Sequence, residues 1–212
     1  MKSERKSIAI VFDDHYLFAD SFSSLLERLE LFQSVHALTS ERELQQFLIK
    51  NGQTPVYIFL DFYLKEKNAL PIINEVRRLN RQAVIIVVSS VVNPTVLTHI
   101  MNYAPQGIVS KSSGFNTIIE CIAAIENGKQ YLCPVIREIV STAKELPKEL
   151  PFTVRELEVL QYFARGLSIA QTAEHMLLSK HTIVAHRRKM MAKARVNSIT
   201  ELLAYARDQE LI

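Results

Sequence analysis

The sequence predicts an α/β domain with a doubly wound, five-stranded parallel sheet, followed by a smaller all-α domain of four helices. Short apolar runs alternate with amphipathic stretches of helical length, and this alternation stops near residue 128. The net charge also changes, from −1 over residues 1–127 to +4 over residues 128–212. We therefore expect a first domain over residues 1–128, a short helix and linker over 129–150, and a second domain over 151–212.

Five apolar runs are the predicted strands of the sheet. Each run is short, bounded by polar or turn residues, and rich in Val and Ile, which is typical of strands buried on both faces. The runs are Ile8–Phe12, Val35–Leu38, Val56–Leu60, Val84–Val88 and Gly107–Val109. Helical patterns lie between them, and such strand–helix units in series favour a parallel sheet.

Four helices are predicted in the second domain. Thr153 and Glu156 have the spacing of a capping box at the start of the first helix. The polar stretch from Ser141 to Pro151, with two prolines, predicts a linker, and residues 134–142 predict a short helix or an extension. The four helices are expected at about 153–165, 168–177, 180–194 and 198–209.

The composition excludes several classes of protein. No apolar run is long enough for a membrane-spanning helix, and the polar start of the chain does not resemble a signal peptide, so we expect a cytoplasmic protein without a membrane partner. Cys121 and Cys133 do not form a CxxC pair, which argues against redox and zinc motifs. The sequence has no glycine-rich loop of the nucleotide-binding types.

Acidic, hydroxyl and ammonium groups follow the predicted strands, at the edge where doubly wound sheets place their functional residues. Three neighbouring carboxylates repel one another, so we expect a compensating cation, and all-oxygen ligands favour Mg²⁺. A carboxylate can attack a phosphoryl group while Mg²⁺ and a lysine neutralise its oxygens. The residues are Asp13 and Asp14 after the first strand, Asp61 at the end of the third, Ser89 at the end of the fourth and Lys111 after the fifth.

This set of residues resembles the receiver domain of two-component response regulators, which has a flavodoxin-like fold. The resemblance implies that Asp61 is the phosphoacceptor and that Asp13, Asp14 and Asp61 hold Mg²⁺. It further implies that Ser89 is the switch hydroxyl, that Lys111 binds the phosphate, and that a sensor histidine kinase is a partner.

The sequence departs from the receiver pattern around this site. The loop at residues 62–68 lacks the usual Pro-Gly pair, and Ala69 replaces the usual glycine. Ile108 stands where an aromatic switch residue is expected, and Ser112 replaces the proline after the lysine. These changes keep the metal and phosphate ligands but affect the conformational readout. An atypical regulator that binds DNA without phosphorylation is therefore an alternative.

The residues from Phe152 onward resemble the LuxR-type helix-turn-helix of the NarL/FixJ subfamily. With the receiver, the resemblance covers nearly the whole chain. Two departures are Val184 and Lys189, whose positions are often lysine and asparagine in the subfamily. The matching residues are Phe152, Thr153, Arg155, Glu156, Glu158, Val159, Leu160, Gly166, Leu167, Ser168, Ala173, Ser179, Thr182, Ile183, His186, Lys193 and Val196.

The stretch from Lys180 to Arg195, which contains the third helix of this domain, has six basic residues and no acid, and this suits the major groove of double-stranded DNA. His181, Val184 and Arg188 share the face opposite the expected core. Arg188 is expected to bind guanine, and Val184 and Ala185 to contact thymine methyl groups. Candidates for phosphate contacts are Lys180, Thr182, Arg187, Lys189 and Lys193.

We therefore expect a transcriptional regulator, controlled by phosphorylation of Asp61, that binds promoter DNA as a homodimer, and not an enzyme. The resemblance implies that the last helix forms the dimer contact. A Mg²⁺-dependent phosphatase or phosphotransferase is a weaker alternative, because Tyr63 stands where such enzymes often place a second acid. A protein-interaction helix is the other reading of the basic segment.

Overall fold

The structure, a computed structural model, describes residues 7–64, 67–142, 152–209 and 211–212. The chain divides into two compact units, one with residues 1–92 and 100–141 and the other with residues 93–99 and 142–212. Residues 143–151, which include most of the predicted linker, lie outside the described residues. None of the described helices is long and apolar enough to cross a membrane.

The first unit is built on a parallel sheet of six strands in the order β2-β1-β3-β6-β7-β8. Its strands are β1 (Ile8–Phe12), β2 (Ser34–Leu38), β3 (Val56–Asp61), β6 (Val84–Ser89), β7 (Gly107–Ser110) and β8 (Tyr131–Leu132), and a separate hairpin is formed by β4 (Tyr63–Leu64) and β5 (Lys67–Asn68). The helices up to residue 142 are α1 (Tyr16–Arg28), α2 (Glu41–Lys50), α3 (Leu70–Leu79), α4 (Pro94–Asn102), α5 (Asn116–Glu126) and α6 (Pro134–Thr142).

The predicted fold class is confirmed, with one addition to the sheet. All five predicted strands are present, but β8 pairs with β7 as a sixth strand. The sheet therefore extends past residue 128, where the first domain was predicted to end. A strand of two residues has no measurable period-2 pattern, which is why the sequence does not reveal it. The helix predicted over residues 134–142 is α6.

The central strands form the core of this unit. Every residue of β1 is buried, and so are five of the six residues of β3. An aromatic cluster covers one face: the ring of Phe22 lies 5.5 Å from Phe18, 5.5 Å from Phe59 and 6.1 Å from Phe115. Burial of each large apolar side chain contributes about 1.5–3 kcal/mol, so the strand ends that carry the site are rigidly supported.

The second unit contains four helices after residue 152, as predicted: α7 (Val154–Ala164), α8 (Ile169–His175), α9 (Lys180–Ala194) and α10 (Ile199–Asp208). Thr153 and Glu156 form the predicted capping box, and Ser168 with Gln171 forms a second one. Ser179 caps α9 by accepting a hydrogen bond from the Thr182 amide. These caps satisfy amides that would otherwise lack partners and fix where each helix begins.

Candidate phosphoacceptor site and DNA-binding helix

The two central acids of the site are held at the ends of adjacent parallel strands. Asp13 directly follows β1, and Asp61 is the last residue of β3, which pairs with β1 from Ile8↔Val56 to Phe12↔Leu60. Both side chains are almost completely buried, at 1% and 4% exposure. The pairing thus brings two carboxylates that are far apart in sequence to one edge of the sheet, as predicted.

Lys111 joins the two acids into one charged cluster. It follows β7, and its Nζ lies 2.6 Å from Asp13 Oδ2 and 3.0 Å from Asp61 Oδ2. The same ammonium lies 4.3 Å from the centre of the Phe18 ring on α1, a cation–π contact that restricts where the lysine can move. One fixed ammonium therefore faces the carboxylate that the sequence marks as the acceptor.

The electrostatics of the site leave Asp61 short of positive charge. Burial raises the pKa of Asp61 to about 6, against the hydrogen bond and charge of Lys111, which lower it; the charge of Asp13 raises it again. The cost of burial therefore outweighs the stabilisation that the single ammonium gives to the ionised Asp61 carboxyl. A cation bound beside this carboxyl would offset that cost.

The acids present a donor set that fits Mg²⁺. Oxygen atoms of Asp13, Asp14 and Asp61 and a ring nitrogen of His15 lie within 4.8 Å of one another. Carboxylate oxygens are the ligands that Mg²⁺ prefers, and the partial exposure of Asp14 gives access from solvent. The three predicted metal ligands are thus close enough to share one ion.

His15 is a member of this cluster that the sequence reasoning missed. Its amide donates to Asp13 Oδ1 at 2.8 Å, and its Nδ1 lies 3.1 Å from the same oxygen and 3.2 Å from Asp14 Oδ1. The signal was its position directly after the two acids.

Ser89 lies one strand further along the same edge. It ends β6, whose Val88 pairs with Asp61, so Ser89 is one residue beyond the acceptor on the neighbouring strand. The side chain is buried, and its Oγ accepts a hydrogen bond from the Val91 amide at 3.2 Å. The hydroxyl therefore keeps a fixed position while its proton can rotate toward another acceptor.

The departures from the receiver pattern have structural counterparts. Tyr63 and Asn68 pair as the first rung of the β4–β5 hairpin, so an antiparallel ribbon follows Asp61 in place of an open loop. Ile108 is buried within β7 at 2% exposure. The Ser112 amide donates to Ser110 Oγ at 3.2 Å, which closes the turn after Lys111 without proline.

In the second unit, α9 has a buried side and an exposed basic side. Ile183 and Met190 are fully buried, as expected for the face that packs on the other helices. Val184, Thr182 and Arg187 are half-buried. The exposed predicted DNA-binding residues are Lys180, His181, Ala185, Arg188, Lys189 and Lys193. Most of the predicted DNA surface is therefore accessible on one helix.

Lys193 has a structural partner that the sequence analysis did not foresee. Its Nζ lies 2.6 Å from Oε2 of Glu156, a side chain with 3% exposure on α7. Burial alone would raise the pKa of Glu156, but hydrogen bonds from Lys193 and from the Thr153 amide outweigh it, and the pKa is lowered. The ammonium of Lys193 is thus committed to a bond between α7 and α9, which argues against its predicted role as a free phosphate contact.

Comparison with known proteins agrees with both halves of this description. Residues 150–206 match the family of bacterial regulatory proteins called the luxR family. The chain is 27% identical over 208 residues to the Fimbriae Z protein of Salmonella typhimurium, covering 96% of this chain and 97% of that protein. It is 24% identical over 204 residues to the DNA-binding transcriptional activator EvgA of Escherichia coli, covering 96% and 98%.

A solved structure shares the fold over nearly the whole chain. RcsB from Salmonella enterica serovar Typhimurium, bound to promoter rprA in the presence of phosphomimetic BeF₃⁻, superposes with a TM-score of 0.69 at 22% identity. The match covers 95% of this chain and 98% of RcsB. At this identity the likeness supports the fold alone.

A doubly wound domain with an acidic pocket at its carboxyl edge, followed by a capped helix-turn-helix, defines the class of response regulators. Over nearly its whole length the chain is similar to response regulators of the NarL/FixJ type, and its residues 150–206 match the luxR family.

Proposed function

We propose that the chain is a DNA-binding transcriptional response regulator of a two-component system, controlled by phosphorylation of Asp61. The observation that carries the proposal is the meeting of Asp13, Asp61 and Lys111 at one sheet edge, with Lys111 Nζ 2.6 and 3.0 Å from the two acids. EvgA, which matches 96% of this chain over 98% of its own length, is named a DNA-binding transcriptional activator. This name supports the same activity for the present chain.

The geometry supports transfer of a phosphoryl group to Asp61. An Asp61 oxygen attacks the phosphorus of a donor, either the phosphohistidine of a sensor histidine kinase or a small acyl phosphate, and the bond to the leaving group breaks. Asp13, Asp14 and Asp61 would hold Mg²⁺, which neutralises charge on the phosphoryl oxygens when bound. Lys111 stabilises the same charge, and the Ser89 hydroxyl can donate to a phosphoryl oxygen of the product.

The output is binding of a homodimer to promoter DNA through α9. Arg188 is the candidate for guanine, and Val184 and Ala185 are candidates for thymine methyl groups. Positioning on the backbone is assigned to Lys180, Thr182, Arg187 and Lys189, with His181 on the same exposed face. We also propose a cytoplasmic location, where the DNA target lies.

Intact-mass analysis after incubation with acetyl phosphate and Mg²⁺ tests the acceptor. We expect a single phosphoryl increment on the wild type and none on Asp61→Asn. Asp20→Asn is the matched control, because Asp20 is exposed on α1 outside the pocket and should be phosphorylated normally. Absence of the increment from wild-type protein that is folded and binds DNA would contradict phosphorylation control.

A regulator that binds DNA independently of phosphorylation is the second candidate. The observation that favours it is the burial of Ile108 in β7, because an aliphatic side chain fixed in the core does not offer the aromatic switch of the receiver pattern. Equal DNA affinities of untreated wild type, phosphorylated wild type and Asp61→Asn would favour this candidate. A higher affinity of the phosphorylated form alone would favour the first.

A further inference from the structure

We propose that His15 is a fourth side-chain ligand of the divalent-cation site, and that the site therefore takes imidazole-preferring ions, such as Co²⁺, Ni²⁺ and Zn²⁺, in addition to Mg²⁺. The inference deepens the proposed function, because it rests on the metal site formed by Asp13, Asp14 and Asp61.

The position of the imidazole carries the inference. His15 Nδ1 lies between two carboxylate oxygens, 3.1 Å from Asp13 Oδ1 and 3.2 Å from Asp14 Oδ1. An ion that contacts both oxygens is therefore within reach of the ring nitrogen. The backbone amide of His15 donates to Asp13 Oδ1 at 2.8 Å, and this bond holds the start of the His15 side chain beside the acids.

The accessibility of the ring makes it an adaptable ligand. The His15 side chain is 68% exposed, whereas Asp13 and Asp61 are buried. The imidazole thus lies at the mouth of the pocket and can turn toward or away from an ion without disturbing the core. The buried ligands, Asp13 and Asp61, remain the same for every ion.

The chemistry of the ligands sets the selectivity. Mg²⁺ prefers oxygen ligands and retains several waters, so it gains little from an imidazole. Late first-row divalent ions bind imidazole well, and at such ions His15 replaces a water with a protein ligand. The site should therefore favour Co²⁺ over Mg²⁺ by a margin that depends on His15.

Calorimetric titration of the full chain with Co²⁺ alone and with Mg²⁺ alone tests this margin. We expect His15→Gln to weaken Co²⁺ binding by about tenfold or more, comparable to other losses of metal-site support, and to change Mg²⁺ binding by less than about threefold. His175→Gln is the matched control, because His175 is exposed on α8 and should change neither affinity. Unchanged Co²⁺ affinity in His15→Gln would overturn the proposal.

A spectroscopic readout separates ligation from a general effect on the pocket. In the Co²⁺-loaded protein, the ring protons of one histidine should show large paramagnetic shifts in proton NMR, and His15→Gln should lose these signals. Their persistence would overturn the proposal. Because His15 is largely exposed, the unfolding temperature of His15→Gln should match that of the wild type, so that loss of the signals is not loss of the fold.

The metal site and the role of His15 can be tested separately. If Asp61→Asn leaves the binding of both ions unchanged, the metal site of the proposed function itself is wrong. If both ions bind in a manner that depends on Asp61 but not on His15, the metal site stands and only the role of His15 is wrong.

Discussion

The Asp61 carboxyl, 4% exposed, has a pKa of about 6 against 3.8 for an ordinary aspartate, chiefly because burial disfavours its charged form. As the pH rises from about 4 to about 6, the unfolded chain loses this proton before the folded chain does. The native state then binds more protons, so the free energy of unfolding falls over this window. Above it, the ionised carboxylate costs the fold up to about 3 kcal/mol.

Because ionising the buried Asp61 carboxyl costs stability, we predict that Asp61→Asn is more stable than the wild type at pH 7.5 in EDTA, by about 1–3 kcal/mol. Asparagine keeps the shape and removes the charge. The difference should shrink as the pH falls through the window and vanish below about pH 4, as measured by calorimetry at a series of pH values. Asp20→Asn is the control. A stability difference that is constant with pH, or of opposite sign, contradicts the assignment.

At the scale of single residues, the sequence predicted which acids lie close together. It did not predict every ion pair that the acidic and basic residues form. Asp13 and Asp61 could be placed together because both terminate strands of one parallel sheet. The Lys193–Glu156 pair could not, because it joins residues 37 positions apart on two helices whose crossing the pattern does not specify. Ion pairs of that kind depend on tertiary packing.

At the scale of elements, α7 and α9 are held together by this ion pair as well as by apolar contacts. Glu156 serves twice, since it also accepts the Thr153 amide in the capping box at 2.7 Å. Its charge is buried and its partner is partly exposed. Removing the lysine therefore leaves a buried charge without its ammonium, whereas removing the acid leaves an ammonium that water can reach.

We therefore predict an asymmetric loss of stability in the second unit. Lys193→Met should cost about 2–4 kcal/mol and Glu156→Gln about 1–2 kcal/mol, because the glutamine keeps the cap. The double variant should lose less than the two losses combined. Calorimetry of the full chain measures the stability loss of all three variants. Lys189→Met, on the exposed side of α9, is the control, and its stability loss should be near zero. Equal losses in both single variants would contradict the asymmetry.

The long helices and strands could be predicted from the sequence, whereas the two-residue strands could not. The strands and helices with several apolar positions have a period that can be counted, and the caps at Thr153, Ser168 and Ser179 have explicit chemistry. In contrast, β4, β5 and β8 have two residues each and exist because a neighbouring strand accepts their hydrogen bonds.

At the scale of the whole molecule, the two units carry different charges and different chemistry. The acidic pocket in the first unit belongs to a region of net charge −1, and α9 belongs to a region of +4. A dimer would present two copies of the basic face to DNA. Binding should therefore release counterions from several phosphates at once, and the affinity should fall steeply with salt.

With Lys180, Arg187 and Lys189 each contacting one phosphate per protomer, a dimer would show a slope of about −5 in log K against log salt concentration. Lys189→Ala should reduce this slope by about 1.8 and weaken all sequences alike. Arg188→Ala should instead lose about 1–3 kcal/mol for each protomer, and so about 2–6 kcal/mol for the dimer, on the preferred sequence only.

Fluorescence anisotropy tests this prediction, using a duplex selected by the wild type from random sequences and a scrambled duplex, each over a range of salt concentrations. Lys129→Ala, an exposed lysine of the first unit, is the control and should leave the slope unchanged. If Arg188→Ala weakens both duplexes equally, Arg188 contacts phosphate and not a base. If neither α9 variant changes binding, α9 is not the DNA-binding helix, and the basic face serves another partner.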